Sequence, residues 1–292
     1  MLSETIKHLR KQNNLTQEQL AEKLNVSRQA ITKWESGIGT PDIGNLEALA
    51  KAFSVSYDVL LSDGEAGAAE NVSRTEFDVF GKDDFELSFG NANVLDVSLA
   101  DCEKIVVEIR TDLQDKAYDL AKVKLENGRK INIAVVEIKL DKQYISVETN
   151  KTLSKQDAKK HLWIKVLLPK EFSNRIELNG DVHTLLIHDI PVKKHLEFDG
   201  KAENVLVSGA CGHFELTPRC DLELHYDGSM EQLDINQLRC ISNLYLKAGA
   251  PVHVYNKGRS CDLVFDGYES VPDAEHKVEL NGFKTELTVR AE

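Results

Sequence analysis

Two structural classes in series are predicted for this chain: an all-α domain of five short helices over residues 1–61 and an all-β repeat domain over 76–292, joined by a flexible linker over 62–75. Three observations lead to this. Up to Leu61 the apolar residues recur at helical spacing, whereas from Phe77 onward they alternate as they do in strands. From Ile176, short apolar strands ending in Gly or Asp-Gly return about every ten residues, which is a repeat signature.

In the first helix Leu2, Ile6 and Leu9 share one face, and Asn13-Asn14 end it. Thr16-Gln17-Glu18-Gln19 has the form of a capping box, with Thr16 as N-cap, ahead of the apolar set Leu20, Ala21 and Leu24. Asn25 follows, and asparagine tolerates the positive φ of a tight turn between helices. Ser27 caps a third helix that buries Ala30, Ile31 and Trp34 and stops at Gly37. After Pro41, Asp42 caps a fourth helix with Ile43, Leu46, Leu49, Ala50 and Phe53 inward, and Ser56 caps a fifth through Leu60 and Leu61. Residues 62–75 lack periodicity and are rich in small and acidic residues, as linkers are.

Strands are expected at Phe85-Leu87-Phe89, Val94 to Leu99, Ile105-Val107-Ile109, Val123-Leu125, Ile131-Ile133, Tyr144 to Val147 and Leu162 to Leu168. Asn127-Gly128 is a hairpin signal between two of them, and the Lys-rich insertion Lys151 to Lys160 reads as a short helix or a loop. Beyond Ile176 come Ile176-Glu-Leu-Asn-Gly180, Leu196-Glu-Phe-Asp-Gly200, Leu222-Glu-Leu-His-Tyr-Asp-Gly228 and Val278-Glu-Leu-Asn-Gly282, among others. A β-solenoid with two short strands per rung of about twenty residues explains this texture, and a β-sandwich with regular turns is the alternative.

The formal net charge of −12 is unevenly placed. Residues 1–61 hold Lys7, Arg10, Lys11, Lys23, Arg28, Lys33 and Lys51 against Glu4, Glu18, Glu22, Glu35, Asp42, Glu47 and Asp58, so the whole deficit lies beyond residue 61. That acidic part should avoid phosphate. The longest apolar runs are far too short to span a bilayer, and Met1-Leu2-Ser3-Glu4 lacks a basic region followed by an apolar stretch, so no membrane insertion is expected. Five cysteines, an odd number, fit a reducing compartment, which places the protein in the cytoplasm.

Leu15-Thr-Gln-Glu-Gln-Leu-Ala-Glu-Lys-Leu-Asn-Val-Ser-Arg-Gln-Ala-Ile-Thr-Lys-Trp-Glu-Ser-Gly37, followed by Pro41 and Leu46-Glu-Ala-Leu-Ala50, resembles the phage-repressor and Cro-like helix-turn-helix family, also called the xenobiotic-response-element family. The physical logic stands beside the resemblance. Ala21 is small where two helices cross closely, and Ile31 and Trp34 lock the third helix onto the second, which leaves Arg28, Gln29, Thr32 and Lys33 exposed. An exposed helix of this size fits the major groove of double-stranded DNA. Gln29 suits adenine, Arg28 suits guanine or a phosphate, and the Thr32 methyl suits a thymine methyl. The resemblance adds Gln17 and Ser27 to the base-contact set; Arg10, Lys11 and Lys33 are expected on phosphates. Such domains usually bind as homodimers to pseudo-palindromes.

Residues from about 80 onward, with Leu162-Trp-Ile-Lys-Val-Leu-Leu-Pro169 and the Asn-Gly repeats, look like bacterial adhesin-like β-solenoids, which implies a fold and little about chemistry. Cys220, Cys240 and Cys261 lie twenty and twenty-one residues apart, each just before a strand, and should stack on successive rungs. A soft-metal or thiol-redox site there, with Cys211 or His213 nearby, is weighed against a ladder of small buried side chains, and the ladder is preferred because no Cys-x-x-Cys pair is present. His183, His188, His195, His225 and His253 show no metal-ligand spacing and read as surface or turn residues. Gly209-Ala-Cys-Gly212 is too short for a phosphate loop, and no catalytic constellation or cofactor motif emerges.

The expectation is therefore a non-enzymatic DNA-binding transcription regulator. Its β domain would dimerise the protein or receive a protein or small-molecule effector. The alternative is an interaction scaffold whose β domain binds a protein or envelope-stress ligand while the helical domain docks a partner.

Overall fold

The computed structural model describes residues 2–13, 15–39, 41, 43–53, 60, 71–78, 84–111, 113, 121–127, 142–149, 154–169, 175–190, 195–209 and 212–292. It falls into two units, Met1–Glu70 and Asn71–Glu292.

The first unit contains α1 (Leu2–Gln12), α2 (Gln17–Lys23), α3 (Arg28–Glu35) and α4 (Ile43–Phe53). Their ends are set by local hydrogen bonding. Thr16 Oγ1 accepts from the Gln19 amide while the Gln19 side chain accepts from the Thr16 amide, which completes the capping box. At the end of α2 the Asn25 amide donates to Glu22 O and the Val26 amide to Ala21 O, with Asn25 at φ 54°. This paired closure satisfies carbonyls that the helix end would orphan, and α3 repeats it through Gly37 (φ 72°) and Ile38, which donate to Trp34 O and Lys33 O. Ser27 caps α3 by accepting from the Ala30 amide. Ile6, Leu9, Leu20, Ala21, Leu24, Ile31, Trp34, Leu46, Leu49, Ala50, Phe53 and Leu60 form one core. The expected Asp42 cap and the Ser56 start of a fifth helix lie outside the described residues.

The second unit comprises β1 (Asn71–Asp78), β2 (Asp84–Ala100), β3 (Lys104–Thr111), β4 (Ala121–Asn127), β5 (Lys142–Thr149), α5 (Lys155–His161), β6 (Leu162–Pro169), β7 (Ile176–His188), β8 (Leu196–Ser208), β9 (His213–Pro218), β10 (Glu223–Tyr226), β11 (Gln232–Leu238), β12 (Ile241–Leu246), β13 (Val252–Asn256), β14 (Asp262–Asp266), β15 (His276–Phe283) and β16 (Glu286–Ala291). β1 begins inside the stretch expected to be a linker. The insertion before β6 is a helix, capped by Ser154, whose hydroxyl accepts from the Asp157 amide. β4 pairs antiparallel with β5, while Gly128 and the strand expected at Ile131-Ile133 lie outside the described residues.

Apart from the antiparallel β1–β3–β6 edge and the β4–β5 pair, the strands are parallel and stack in register. Ile176 lies opposite Leu196, Leu196 opposite Phe214 and Phe214 opposite Leu233, so each step along the stack advances the chain by 20, 18 and 19 residues. These apolar positions point into one continuous core. The stack then departs from sequence order. β15–β16 enter between β11–β12 and β13–β14: Leu233 faces Val278, and Val278 faces Val254. Part of the reason is that the far edge of β13 is already occupied. The Tyr268 hydroxyl accepts from the Val252 amide, Ser270 bonds both polar groups of Val254, and the Val271 amide donates to Val252 O.

β7 and β8 correct the expectation of short strands ending in turns. Each is one 13-residue strand that runs on through Asn179-Gly180 or Asp199-Gly200. Neither glycine has a positive φ; close backbone approach is what demands them. A Cβ on Gly200 would stand 1.7 Å from the Gly180 carbonyl oxygen. Gly200→Ala is therefore expected to destabilise the β unit by about 3 kcal/mol or more, because backbone must move. Gly37→Ala should cost the helical unit only about 1–2 kcal/mol, for its left-handed φ alone. Denaturant unfolding followed by strand and helix signals separately measures both.

Candidate nucleic-acid interface

The exposed face of α3 carries Arg28, Gln29, Thr32 and Lys33, opposite Ile31 and Trp34, which are buried. Among the described residues the Arg28, Gln29 and Lys33 side chains have no intramolecular hydrogen-bond or ionic partner, so their polar groups face outward uncommitted. Thr32 is different: its hydroxyl donates to Arg28 O at 3.0 Å and approaches Gln17 Oε1 at 3.3 Å. What it leaves to the outside is its methyl group. Ser27 is exposed and spends one acceptor on the cap. Lys11 is exposed at the end of α1.

Arg10 departs from expectation. Its guanidinium turns inward, with Nε donating to Glu35 Oε1 at 2.5 Å, Nη2 to Glu35 Oε2 at 3.0 Å and Nη1 to Leu15 O at 2.7 Å. A side chain so occupied, with 12% of its surface exposed, holds helices together and keeps only one N–H on each Nη for any further partner. Gln17 belongs to the same cluster through Nε2, which donates to Glu35 Oε2 at 2.8 Å. Arg10, Gln17, Glu35 and Thr32 thus form one chain of contacts from α1 through α2 to the outer face of α3.

Glu35, 7% exposed, was not anticipated as a key residue, although it follows Ile31 at the i+4 spacing that marks the buried face. Burial alone would raise its carboxyl. The hydrogen bonds from Arg10 and Gln17, with the charges of Arg10 and Lys7, nevertheless hold it below the ordinary carboxylate range. The Arg10 guanidinium is raised in turn by its hydrogen bond to Glu35.

The other candidates do not converge. Asp262 and Ile241 both lie opposite Glu286, so Thr285 stands between Cys240 and Cys261, and the expected three-cysteine column is broken by the insertion of β15–β16. Cys220, Cys240 and Cys261 are unbridged; burial pushes the thiols of Cys220 and Cys240 up, away from the reactive thiolate. Cys211 lies outside the described residues. The histidines stand on or beside strands and several pair with carboxylates. His183 Nδ1 lies 3.0 Å from Glu203, and His213 Nε2 2.7 Å from Asp234. His225, buried, lies 3.0 Å from Glu292 and stacks on Tyr245, while His253 tilts against Tyr255. His188 Nε2 lies 2.7 Å from the buried Asp96; burial opposes its protonation, but that bond and the Asp96 charge raise it. His188 and His225 are thus not the surface or turn residues expected. His195 faces Glu197 and Glu215.

The first unit is a helix-turn-helix domain: residues 6–60 match the helix-turn-helix family. Over part of its length the chain is similar to the HTH-type transcriptional activator BcrR of Enterococcus faecalis, 56% identical over 63 residues, 22% of this chain and 31% of that protein. It is also similar to the uncharacterized HTH-type transcriptional regulator YqaE of Bacillus subtilis (strain 168), 43% identical over 61 residues, 21% of this chain and 53% of that protein. The chain thus spans about a third to a half of the length of these curated relatives. Among solved structures, a proposed adhesin from Bacteroides fragilis NCTC 9343 is 12% identical with a TM-score of 0.42, covering 76% of this chain and 97% of that one. A proposed cell adhesion protein from Clostridium sporogenes ATCC 15579 is 10% identical with a TM-score of 0.38, covering 76% of this chain and all of that one. Likeness at that level says nothing of what the β unit does.

Arg10→Ala is expected to destabilise the helical unit by about 3–5 kcal/mol, because it strands a buried carboxylate. Glu35 has a folded pKa below its unfolded value, so its stabilisation is present above the unfolded glutamate value near about 4.3 and is lost as pH falls through the folded one. Helical circular dichroism melts of the full chain at neutral and acid pH should show a larger acid loss for the parent than for Glu35→Gln.

Proposed function

We propose that the chain is a sequence-specific transcription regulator that binds a pseudo-palindromic operator in double-stranded DNA as a homodimer in the cytoplasm. The observation that carries this reading is the face of α3, on which Arg28 and Gln29 are exposed and uncommitted beside Thr32. With α3 in the major groove, Arg28 pairs with guanine or phosphate, Gln29 with adenine, and the Thr32 methyl meets a thymine methyl, its hydroxyl being turned inward. Gln17 and Ser27 complete the base-contact set, and Lys11 and Lys33 take phosphates, while Arg10 is engaged with Glu35 and offers at most its remaining Nη hydrogens.

The helical unit has no net positive charge, so one headpiece gains little from counterion release and two joined copies supply the affinity. In this reading the β unit is a solenoid with two strand segments per rung, supported by registers that advance by 18 to 20 residues. That unit dimerises the protein or takes the signal that changes the spacing of the two headpieces. The activity is binding, not catalysis.

Selection of genomic fragments by the full chain at about 150 mM salt, where non-specific binding is weakened, should enrich one short pseudo-palindrome. On that site Arg28→Ala and Gln29→Ala should each cost about 1–3 kcal/mol and relax preference at one base position. Lys33→Ala should weaken all sequences alike and reduce the salt slope by about 1. Fragments recovered without a shared motif would contradict the reading and favour the scaffold alternative.

A further inference from the structure

We propose that the β unit binds one divalent zinc-class metal ion through His195, Glu197 and Glu215. His195, immediately before β8, and Glu197 within it are two residues apart and lie toward one side of the sheet, and Glu215 on β9 lies directly opposite Glu197. This register brings an imidazole nitrogen and two carboxylate oxygens together. His195 Nε2 lies 3.4 Å from Glu215 Oε2 and 4.0 Å from Glu197 Oε2, and all three ligand atoms fall within 4.8 Å of one another. Zinc bonds to nitrogen and oxygen of about 2.0–2.2 Å at tetrahedral angles place neighbouring donors about 3.4 Å apart. One edge of the triangle already has that length, and the others need only side-chain rotation. Two carboxylates and a neutral imidazole leave a fourth position for water.

The surroundings suit the role. The Glu215 Oε1 atom accepts from Asn236 Nδ2 at 2.7 Å, which fixes the carboxylate and leaves Oε2 toward His195. His195 makes no hydrogen bond to either carboxylate in this geometry, although it lies against both, and His213 packs edge-on against its ring at 4.8 Å. Arg175 holds Glu197 at 2.7 Å and Glu177 at 2.9 Å; it can keep Glu177 when Glu197 turns to the ion. The column around the site is anionic: Glu86, Glu177, Glu197, Glu215, Asp234 and Glu279 occupy equivalent places on six successive strands. Such a column draws cations, while the imidazole selects zinc-like ions over calcium or magnesium.

The site lies wholly within the β unit and would fill whether or not the helical unit binds DNA. Zinc chloride titrated into the full chain, stripped of metal and followed by calorimetry, should bind at one site. His195→Ala and Glu215→Gln should each weaken it more than about tenfold with unchanged melting of the metal-free chain, while His183→Ala should not. Cobalt(II) in place of zinc should show four-coordinate visible bands without a thiolate charge-transfer band. Absence of zinc binding, binding that His195→Ala and Glu215→Gln both leave intact, or a thiolate band showing that cysteines hold the ion would each overturn the proposal.

Discussion

The carboxylate of Glu35 has to be buried and remain charged for the helical unit to take its form. It stands at the last turn of α3, where α1 and α2 also converge, and burying it alone would cost several kcal/mol. Arg10 answers from α1 with a side-on pair of hydrogen bonds and Gln17 from the first turn of α2 with a third. The observed placement of the three helices satisfies all of these at once. Since hydrophobic replacement of such a pair is often neutral for stability, what the cluster contributes is definition of geometry. That geometry sets which side of α3 faces out.

The β unit is governed by a repeated constraint. Parallel stacking in register puts equivalent positions of neighbouring strands about 4.8 Å apart, so inward places become an apolar column and outward places become ladders of like chemistry. The outward carboxylate column is the costly consequence, and Arg175, His213, Tyr255 and Lys257 offset it by pairing with Glu197, Asp234 and Glu279. Glu215 is held by Asn236 on one oxygen and left facing an imidazole on the other. Gly180 and Gly200 follow from the same stacking: opposite each other in register, their backbones approach too closely for a Cβ on Gly200.

Features that depend on near neighbours along the chain were legible. The Thr16–Gln19 capping box, the Asn25 and Gly37 terminations and the buried stripe through Ile31 and Trp34 all rest on contacts within a few residues, and so does the alternation that marks the strands. What stayed hidden depends on pairing across distance. Nothing local distinguishes Arg10 from Lys11 until Glu35 is brought to it from 25 residues away. The texture of the repeat announces stacking but not order, so the entry of β15–β16 between earlier rungs, and Thr285 between Cys240 and Cys261, could not be read from spacing. His195 and Glu215, twenty residues apart, become neighbours only once the register is known.

In the proposed function α3, oriented by the Glu35 cluster, reads the major groove from two joined copies. Dimethyl sulfate footprinting of the full chain on its selected operator tests this most directly, because the reagent reports guanine N7 in the major groove and adenine N3 in the minor groove. Guanine N7 protection is expected in two half-sites centred about one helical turn apart, on one side of the duplex. Protection confined to adenine N3, or a single protected half-site at saturating protein, would contradict it.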